Sequence, residues 1–207
     1  MKQVFDVRKI KKVNSCIALF LLVLLSMTGG CGVKYSEPDP EKGSLILSED
    51  GSMELELKRS FTEDYYSEAE LQEYTNGQIA AYNGAKGGER IVLRTCTVKD
   101  GAAQLTLYFA SWEDYAAFMP TALYAGTVQG AYDAGFDFDQ ALSKASNPER
   151  VIGKNDLMGM AKERILVVEG DLRISVPDDI ENYTFGMKAI DKKTVESSGD
   201  GVNFILY

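Results

Sequence analysis

The chain has 207 residues, of which 45% are hydrophobic and 10% aromatic, a composition that supports a folded core and excludes an intrinsically disordered protein. The formal charge of −9 combines +4 in residues 1–30 with −13 in the remainder, and so acidic a body excludes nucleic-acid binding. The chain contains no histidine, which excludes Ser-His-Asp and Cys-His catalysis, histidine metal sites and histidine pH switches.

The first thirty residues have the anatomy of a secretory signal peptide. A basic flank, KQVFDVRKIKK (residues 2–12), precedes the nearly apolar run CIALFLLVLLSM (residues 16–27), and the small residues TGG then precede Cys31. The apolar run is short for a membrane span, which takes about 20 residues. An ordinary signal peptide with Cys31 as a bystander and an uncleaved anchor helix are the alternatives.

The sequence TGGC resembles the lipobox of bacterial lipoproteins, in which the cysteine thiol receives a diacylglycerol and becomes residue one after cleavage. Gly30 fits this pattern, whereas Thr28 stands where leucine is usual. The resemblance implies covalent diacylglycerol at Cys31 and anchoring to the outer face of the cytoplasmic membrane by acyl chains such as palmitate. The polar segment 31–43 then predicts a flexible tether.

Cys96 is the one cysteine that remains in the body once Cys16 has left with the signal peptide and Cys31 has been lipidated. A single cysteine makes no internal disulfide. Strand-like alternation in IVLRTCTV predicts one shared face for Val92, Arg94, Cys96 and Val98. A nucleophilic thiol needs a nearby cation or base, and Arg94 is the one candidate close to Cys96 in the sequence. A packed thiol is therefore favoured over a nucleophile.

The first half of the body predicts two hairpins around a helix. Residues 44–60 alternate around the turn Glu49-Asp50-Gly51, and residues 90–110 alternate around Lys99-Asp100-Gly101. Between them, Ser67 with Glu70 forms a capping box that begins a helix, and Asn83-Gly84 is its stop signal. The apolar face of this helix is predicted from the spacing of Leu71, Tyr74, Ile79 and Tyr82.

Two short helices follow. Ser111 caps WEDYAAFM, which Pro120 stops, and Thr127 caps VQGAYDA, which Gly135 ends. Residues 143–163 predict little beyond a helical turn or two within 155–162.

The C-terminal part predicts strands again. The segment ERILVVEGDLRISVP predicts a hairpin through Glu169-Gly170-Asp171, and YTFGMKAI, KTVES and VNFILY each predict a strand. Tight turns between neighbouring strands argue against a doubly wound parallel sheet. We therefore expect residues 44–207 to form a single α+β domain, with a mainly antiparallel sheet built from hairpins and about three helices packed on it.

Two sets of side chains are candidate sites. Asp133, Asp137 and Asp139 in DAGFDFD offer oxygens to Ca²⁺, although a segment with its phenyl rings in the core and its acids in water is the favoured interpretation. Aromatic residues crowd the helical middle of the chain, where core packing is favoured over a recognition surface. If such a surface exists, its predicted exposed members are Tyr65, Tyr66 and Trp112.

The segments DYYSEAELQEYTNGQIAAYN and SWEDYAAFMPTALYAGTVQGAYDAGFDF, together with the lipobox, resemble a group of small uncharacterised lipoproteins of Gram-positive gut anaerobes. The resemblance covers about residues 44–140. Met119-Pro120 and Gln129-Gly130 depart from the group's pattern. The group implies no activity, so no functional residue follows from it.

These observations favour a membrane-anchored extracytoplasmic lipoprotein that is a non-enzymatic binding or envelope-accessory protein. Its expected partners are the membrane and an envelope protein or cell-wall ligand. The alternative is a carboxylate-dependent hydrolase acting on cell-wall glycan or peptide, which needs two converging acids, one with a raised pKa. The sequence singles out no catalytic residue and indicates no cofactor besides the covalent lipid.

Overall fold

A computed structural model describes residues 34–61, 67–197, 199 and 201–207. The predicted signal peptide, the predicted lipidation site Cys31 and the candidate binding residues Tyr65 and Tyr66 lie outside the described residues. Residues 34–207 form one compact unit.

The described residues contain thirteen strands and four helices. The strands are β1 (Gly43–Leu47), β2 (Met53–Ser60), β3 (Ile91–Lys99), β4 (Ala102–Phe109), β5 (Leu123–Thr127), β6 (Leu142–Lys144), β7 (Asn147–Ile152), β8 (Arg164–Glu169), β9 (Leu172–Ser175), β10 (Asn182–Thr184), β11 (Lys188–Ala189), β12 (Thr194–Glu196) and β13 (Val202–Leu206). The helices are α1 (Glu68–Lys86), α2 (Trp112–Phe118), α3 (Val128–Asp133) and α4 (Lys154–Gly159).

The strands form two sheets. Sheet A has the order β11-β12-β9-β1-β2-β4-β3, and sheet B has the order β5-β8-β13-β10-β6-β7. Pairing is antiparallel except between β1 and β9. The predicted α+β class with mainly antiparallel pairing is confirmed, but the strands divide into two sheets and the described helices number four.

Sheet B lies between two hydrophobic cores. In β8, Leu166 and Val168 join the main core with residues of sheet A and α1, whereas Ile165 and Val167 join a second core with α3 and α4. All four side chains are buried. The molecule is therefore layered as sheet A, sheet B and a short-helix layer.

The predicted hairpin over residues 163–177 is wrong. β8 pairs with β5 and β13 in sheet B, whereas β9 pairs with β1 and β12 in sheet A. Residues 169–171 carry the chain from one sheet to the other, with Gly170 at φ +133°. The strand predicted over YTFGMKAI likewise divides at Gly186 into β10 and β11. Glycine turns serve hairpins and sheet-to-sheet crossings equally, so local sequence does not separate the two.

The hairpin of β3 and β4 forms as predicted, with Asp100 and Gly101 both at positive φ. The face predicted for β3 is wrong, however, because the pairing register shifts between Leu93 and Thr95. This bulge at Arg94 places Cys96 and Val98 opposite Leu105 and Ala103, on the face that carries Ile91 and Leu93, and leaves Val92 on the other face.

Helix α1 begins as predicted, with the Ser67 side chain accepting a hydrogen bond from the Glu70 amide, but it runs past the predicted stop to Lys86 and ends at Gly87 in the left-handed region. Asn83 instead fastens the helix to β3. Its Nδ2 donates to the Ile91 carbonyl at 2.8 Å, and its Oδ1 accepts from the Ile91 amide at 3.0 Å. The same residue type that ends helices is used here for a tertiary contact.

The short helices α2 and α3 begin at their predicted caps, Ser111 and Thr127, each of which accepts a hydrogen bond from a backbone amide three residues later. Strands β5, β6 and β7 were not predicted, because their sequences carry no clear alternation.

The predicted tether is fastened to the domain from Ser36 onward. The Ser36 amide donates to the Ala189 carbonyl at 2.8 Å, and the Asp39 amide donates to Glu196 Oε1 at 2.8 Å. Lys42 Nζ donates to the Ser197 carbonyl at 2.9 Å, and β1 begins at Gly43. The predicted tether therefore extends no further than residue 35.

Candidate functional site

A groove of about 520 Å³ lies between α1 and α2 and is floored by β4. We call it the α1–α2 groove. Its lining is mainly apolar or aromatic, with two polar residues, and comprises Tyr74, Thr75, Gln78, Ala81, Tyr82, Leu105, Leu107, Ala117 and Phe118.

The groove exists because α1 covers the edge of sheet A along a narrow line. Glu68 Oε2 accepts from the Val98 amide at 2.9 Å at one end of the helix, and Asn83 holds Ile91 at the other. Of the 19 residues of α1, only Thr75 and Ile79 are buried. The helix therefore lies over β3 and leaves the neighbouring strand β4 partly uncovered.

Tyr74 lies on the rim of the groove with 68% of its surface exposed. The spacing of apolar residues along α1 predicts that Tyr74 faces the core, and that prediction is wrong. The buried line runs through Thr75 and Ile79, one residue round the helix. The central buried position is occupied by Thr75, which is not apolar. The spacing of apolar residues therefore indicates the neighbouring Tyr74 instead.

The opposite wall of the groove is held by a buried carboxylate. Asp114 of α2 accepts hydrogen bonds from the Tyr82 hydroxyl at 3.0 Å and the Ser111 hydroxyl at 2.9 Å, and it pairs with the Arg90 guanidinium at 2.8 Å. Tyr82 also contacts Phe118 edge to face, with ring centroids 5.8 Å apart. These contacts join α1, α2 and the start of β3 into one frame around the groove.

The electrostatics of this frame favour the ionised carboxylate. Burial by itself raises the pKa of Asp114, but hydrogen bonds from Arg90, Ser111 and Tyr82 outweigh burial and hold that pKa below its usual value. Burial and the hydrogen bond to Asp114 raise the pKa of Tyr82, which therefore stays neutral. The network is suited to holding shape, since a lowered carboxyl pKa does not serve a general acid.

Trp112, predicted to be exposed, is half-buried. Its ring centroid lies 4.9 Å from that of Tyr124, and it packs against the main core. It does not line the α1–α2 groove.

The structure does not assemble Asp133, Asp137 and Asp139 into a metal site. Asp133 accepts from Gln129 at 2.8 Å, while Lys154 pairs with Asp137 at 2.7 Å and lies 3.9 Å from Asp139. The Lys154 ammonium lowers the pKa of Asp137. Within the described ranges, no group of three acidic, cysteine or histidine side chains could hold a metal ion. Phe138 is buried in the second core, as the favoured interpretation of the segment expected.

A second cavity of about 320 Å³ lies between β2, the end of α2 and the crossing from β8 to β9. Two acids, Glu169 and Asp171, line it together with Arg59. Glu169 accepts from the Ala122 amide at 3.0 Å, and Asp171 pairs with Lys42, which lowers the pKa of Asp171. Both carboxylates are occupied in holding the chain.

Cys96 is a half-buried free thiol. Burial and the nearby Glu68 carboxylate raise its pKa, which is opposite to the shift of a reactive thiolate. The neighbouring Arg94, the candidate activating cation, sits in the bulge and stacks on Tyr108, with its guanidinium carbon 5.0 Å from the ring centroid.

No family model, no curated protein and no solved structure matches this chain. Across the described residues, none of the helices combines the length and apolar character that a membrane span needs.

The groove has no clear signature in the sequence. The one available signal was the pair Tyr74 and Gln78, four residues apart and hence neighbours on the helix surface. Whether that surface faces the core depends on where α1 lies relative to β3, and this is decided by contacts between segments distant in sequence.

Proposed function

We propose that the protein is a lipid-anchored binding protein on the extracytoplasmic face of the membrane, and that the α1–α2 groove holds an apolar segment of another envelope protein. The observation that carries this proposal is an exposed tyrosine, Tyr74, on the rim of an apolar groove whose walls are fixed by a hydrogen-bond network centred on the buried Asp114.

The lining has the chemistry of a protein-recognition surface. Leu105, Leu107 and Phe118 form an apolar bed, and Tyr74 and Tyr82 add rings with polar tips. Aromatic anchors in a pocket dominate the binding energy of many protein interfaces, and a rigid frame reduces the entropy lost on binding.

Charge defines the partner further. The body from residue 31 onward carries −13, and both helices that flank the groove bear exposed acids, Glu73 on α1 and Glu113 on α2. We therefore propose a partner segment with an apolar centre and basic flanks, because complementary charge speeds association and selects against acidic competitors.

The anchor part of the proposal rests on the lipobox-like sequence before Cys31 and on the short spacer that follows it. Its test is a Cys31→Ser variant, which should leave the membrane fraction and lose metabolic labelling with an alkynyl fatty acid. A variant that stays membrane-bound and labelled would refute lipidation at Cys31.

The hydrolase alternative finds less support. The described carboxyl groups with shifted pKa values, those of Asp50, Asp114, Asp137 and Asp171, are all shifted downward. A glycosidase acid needs the opposite shift.

Site-specific photocrosslinking in intact cells tests the groove. A benzophenone amino acid at Gln78 lies inside the groove, and the same group at Asn76 is a matched control because Asn76 is exposed on another side of the same helix. We expect an adduct with one envelope protein from position 78 that is absent from position 76 and lost in a Tyr74→Ala background. No adduct at position 78, or the same adducts at both positions, would refute the proposal.

A further inference from the structure

The N-terminal strap, residues 36–42, ties the chain to one particular edge of the molecule. Ser36 hydrogen-bonds to Ala189 of β11, which is the edge strand of sheet A. The strap then crosses β12 and β9, where the Asp39 amide donates to Glu196 and Arg173 Nε pairs with Glu196 at 3.0 Å. Glu196 is buried, so these contacts are part of the folded structure and not a loose surface association.

The spacer before the strap is short. Five residue steps separate Cys31 from Ser36 in the sequence, and a fully extended chain advances at most ~3.3–3.6 Å per residue, so the spacer reaches about 17 Å. Sheet A is wider than this. Six strand-to-strand steps lead from β11 to β3, which at ~4.8 Å per step places the two edges about 29 Å apart.

The edge that receives the strap also exposes aromatic side chains. Tyr35 is 47% exposed and directly precedes Ser36, and Phe185 is 63% exposed in the turn that leads into β11. Phe185 is four residues from Ala189, the partner of Ser36. We call β11, Phe185 and residues 34–36 the anchor-side edge.

We propose that the anchor-side edge lies against the lipid headgroups, with Tyr35 and Phe185 in the membrane interface, and that the α1–α2 groove at the opposite edge of sheet A is presented away from the membrane. This inference rests on the lipid anchor proposed above. Exposed aromatic residues are stable at the boundary between headgroups and acyl chains, where apolar surface leaves water without losing polar contacts. The short spacer keeps these residues at the surface, and the width of the sheet sets the height of the groove.

Quenching of tryptophan fluorescence by lipids brominated on their acyl chains tests this arrangement. Trp112 is the one tryptophan of the chain, so a Trp112→Phe background allows a single reporter. Phe185→Trp reports the anchor-side edge, and Tyr74→Trp, of matched exposure, reports the opposite edge. The mature lipidated protein is reconstituted into vesicles of phosphatidylcholine and phosphatidylglycerol, with and without brominated phosphatidylcholine.

We expect quenching of the Phe185→Trp reporter to exceed that of the Tyr74→Trp reporter at least twofold. Equal quenching, or stronger quenching at position 74, in protein that floats with the vesicles would overturn the orientation and leave the anchor standing. Protein that fails to float, and whose N-terminal peptide lacks the mass of a diacylglycerol, would instead refute the anchor itself. Circular dichroism of each variant confirms that both reporters are read in folded protein.

Discussion

The centre of sheet B and the edge of sheet A beneath α1 are both rich in hydrophobic residues, but they differ in how completely those residues are buried. Strands β8 and β13 are buried on both faces, with side chains alternating between the two cores. Strands β3 and β4 are covered on one face by a helix that buries two of its residues, and part of that face remains open as the α1–α2 groove.

The difference shows where this molecule has room for a binding site. Residues 165–168 of β8 lie between the two cores and have no free surface, so their side chains contribute to packing. At the edge of sheet A beneath α1, the helix covers the strands incompletely. The structure there is held by a few contacts at the ends of the helix and by the network around Asp114. Substitutions should therefore separate the two regions by their effect on the free energy of unfolding.

The largest effects are expected in β8. Ile165→Ala and Leu166→Ala should each lower the free energy of unfolding by about 2–5 kcal/mol, because each side chain is fully buried, Ile165 in the second core and Leu166 in the main core. Urea denaturation measures both. On β2, which has one solvent face, Leu55→Ala should be similarly costly, while Glu54→Ala should stay within about 0.5 kcal/mol. A tolerated alanine at either β8 position would mean that sheet B is not packed on both faces.

The network centred on the buried Asp114, beside the groove, should rank next. Asp114→Asn removes a charged acceptor from Arg90, Tyr82 and Ser111, and should cost about 1.5–3 kcal/mol. Glu113→Gln, at an exposed neighbour, is the control.

The pH dependence of stability, measured on the wild type and Asp114→Asn, tests the ionised state of Asp114. Since the folded pKa of Asp114 lies below the unfolded one, its contribution is fully present above the unfolded pKa of about 4 and is lost as pH falls through the folded pKa. The stability difference between wild type and Asp114→Asn should therefore be full at pH 7 and shrink in acid. A difference that grows in acid would contradict the proposed ionised state.

Glycine-to-alanine substitutions in α1 and α3 should change the free energy of unfolding in opposite directions. In α1, a Cβ at Gly77 meets open space, so Gly77→Ala should stabilise by about 0.5–1 kcal/mol through backbone entropy. In α3, a Cβ at Gly130 collides with the Tyr124 hydroxyl, whose ring is held between Trp112 and Phe136. Gly130→Ala should therefore destabilise by about 1–3 kcal/mol. Thermal unfolding of both variants decides the comparison, and equal signs would show that the two helices are packed alike.

The smallest effect is expected at the groove rim. Tyr74→Ala should change the free energy of unfolding by less than about 0.5 kcal/mol, since the side chain is mostly in water. Tyr115→Ala, at a fully buried tyrosine of the adjacent helix, should cost about 3–5 kcal/mol. A large loss at Tyr74 would assign it a structural role and weaken the case for a binding surface.

Much of the secondary structure could be predicted because its signals are local. Ser67, Ser111 and Thr127 each cap a helix through an amide three residues away, and Asp100-Gly101 closes a hairpin of adjacent strands. The candidate site could not be predicted in this way. Tyr65 and Tyr66 lie outside the described residues, Trp112 packs against Tyr124, and the exposed rim residue is Tyr74, which the apolar spacing had placed in the core.

By itself, the sequence determined the α+β class, the antiparallel hairpins, the helix starts and the lipobox-like segment before Cys31, because turn residues, caps and alternation act over a few residues. Only the tertiary structure decided that there are two sheets, that residues 169–171 cross between them, that a bulge at Arg94 reverses the faces of β3, and that the supposed tether is a strap on β11. Those features depend on contacts between segments that are far apart in the sequence, such as the pairing of Gly43 with Leu172. Such contacts leave little trace in any short stretch of sequence.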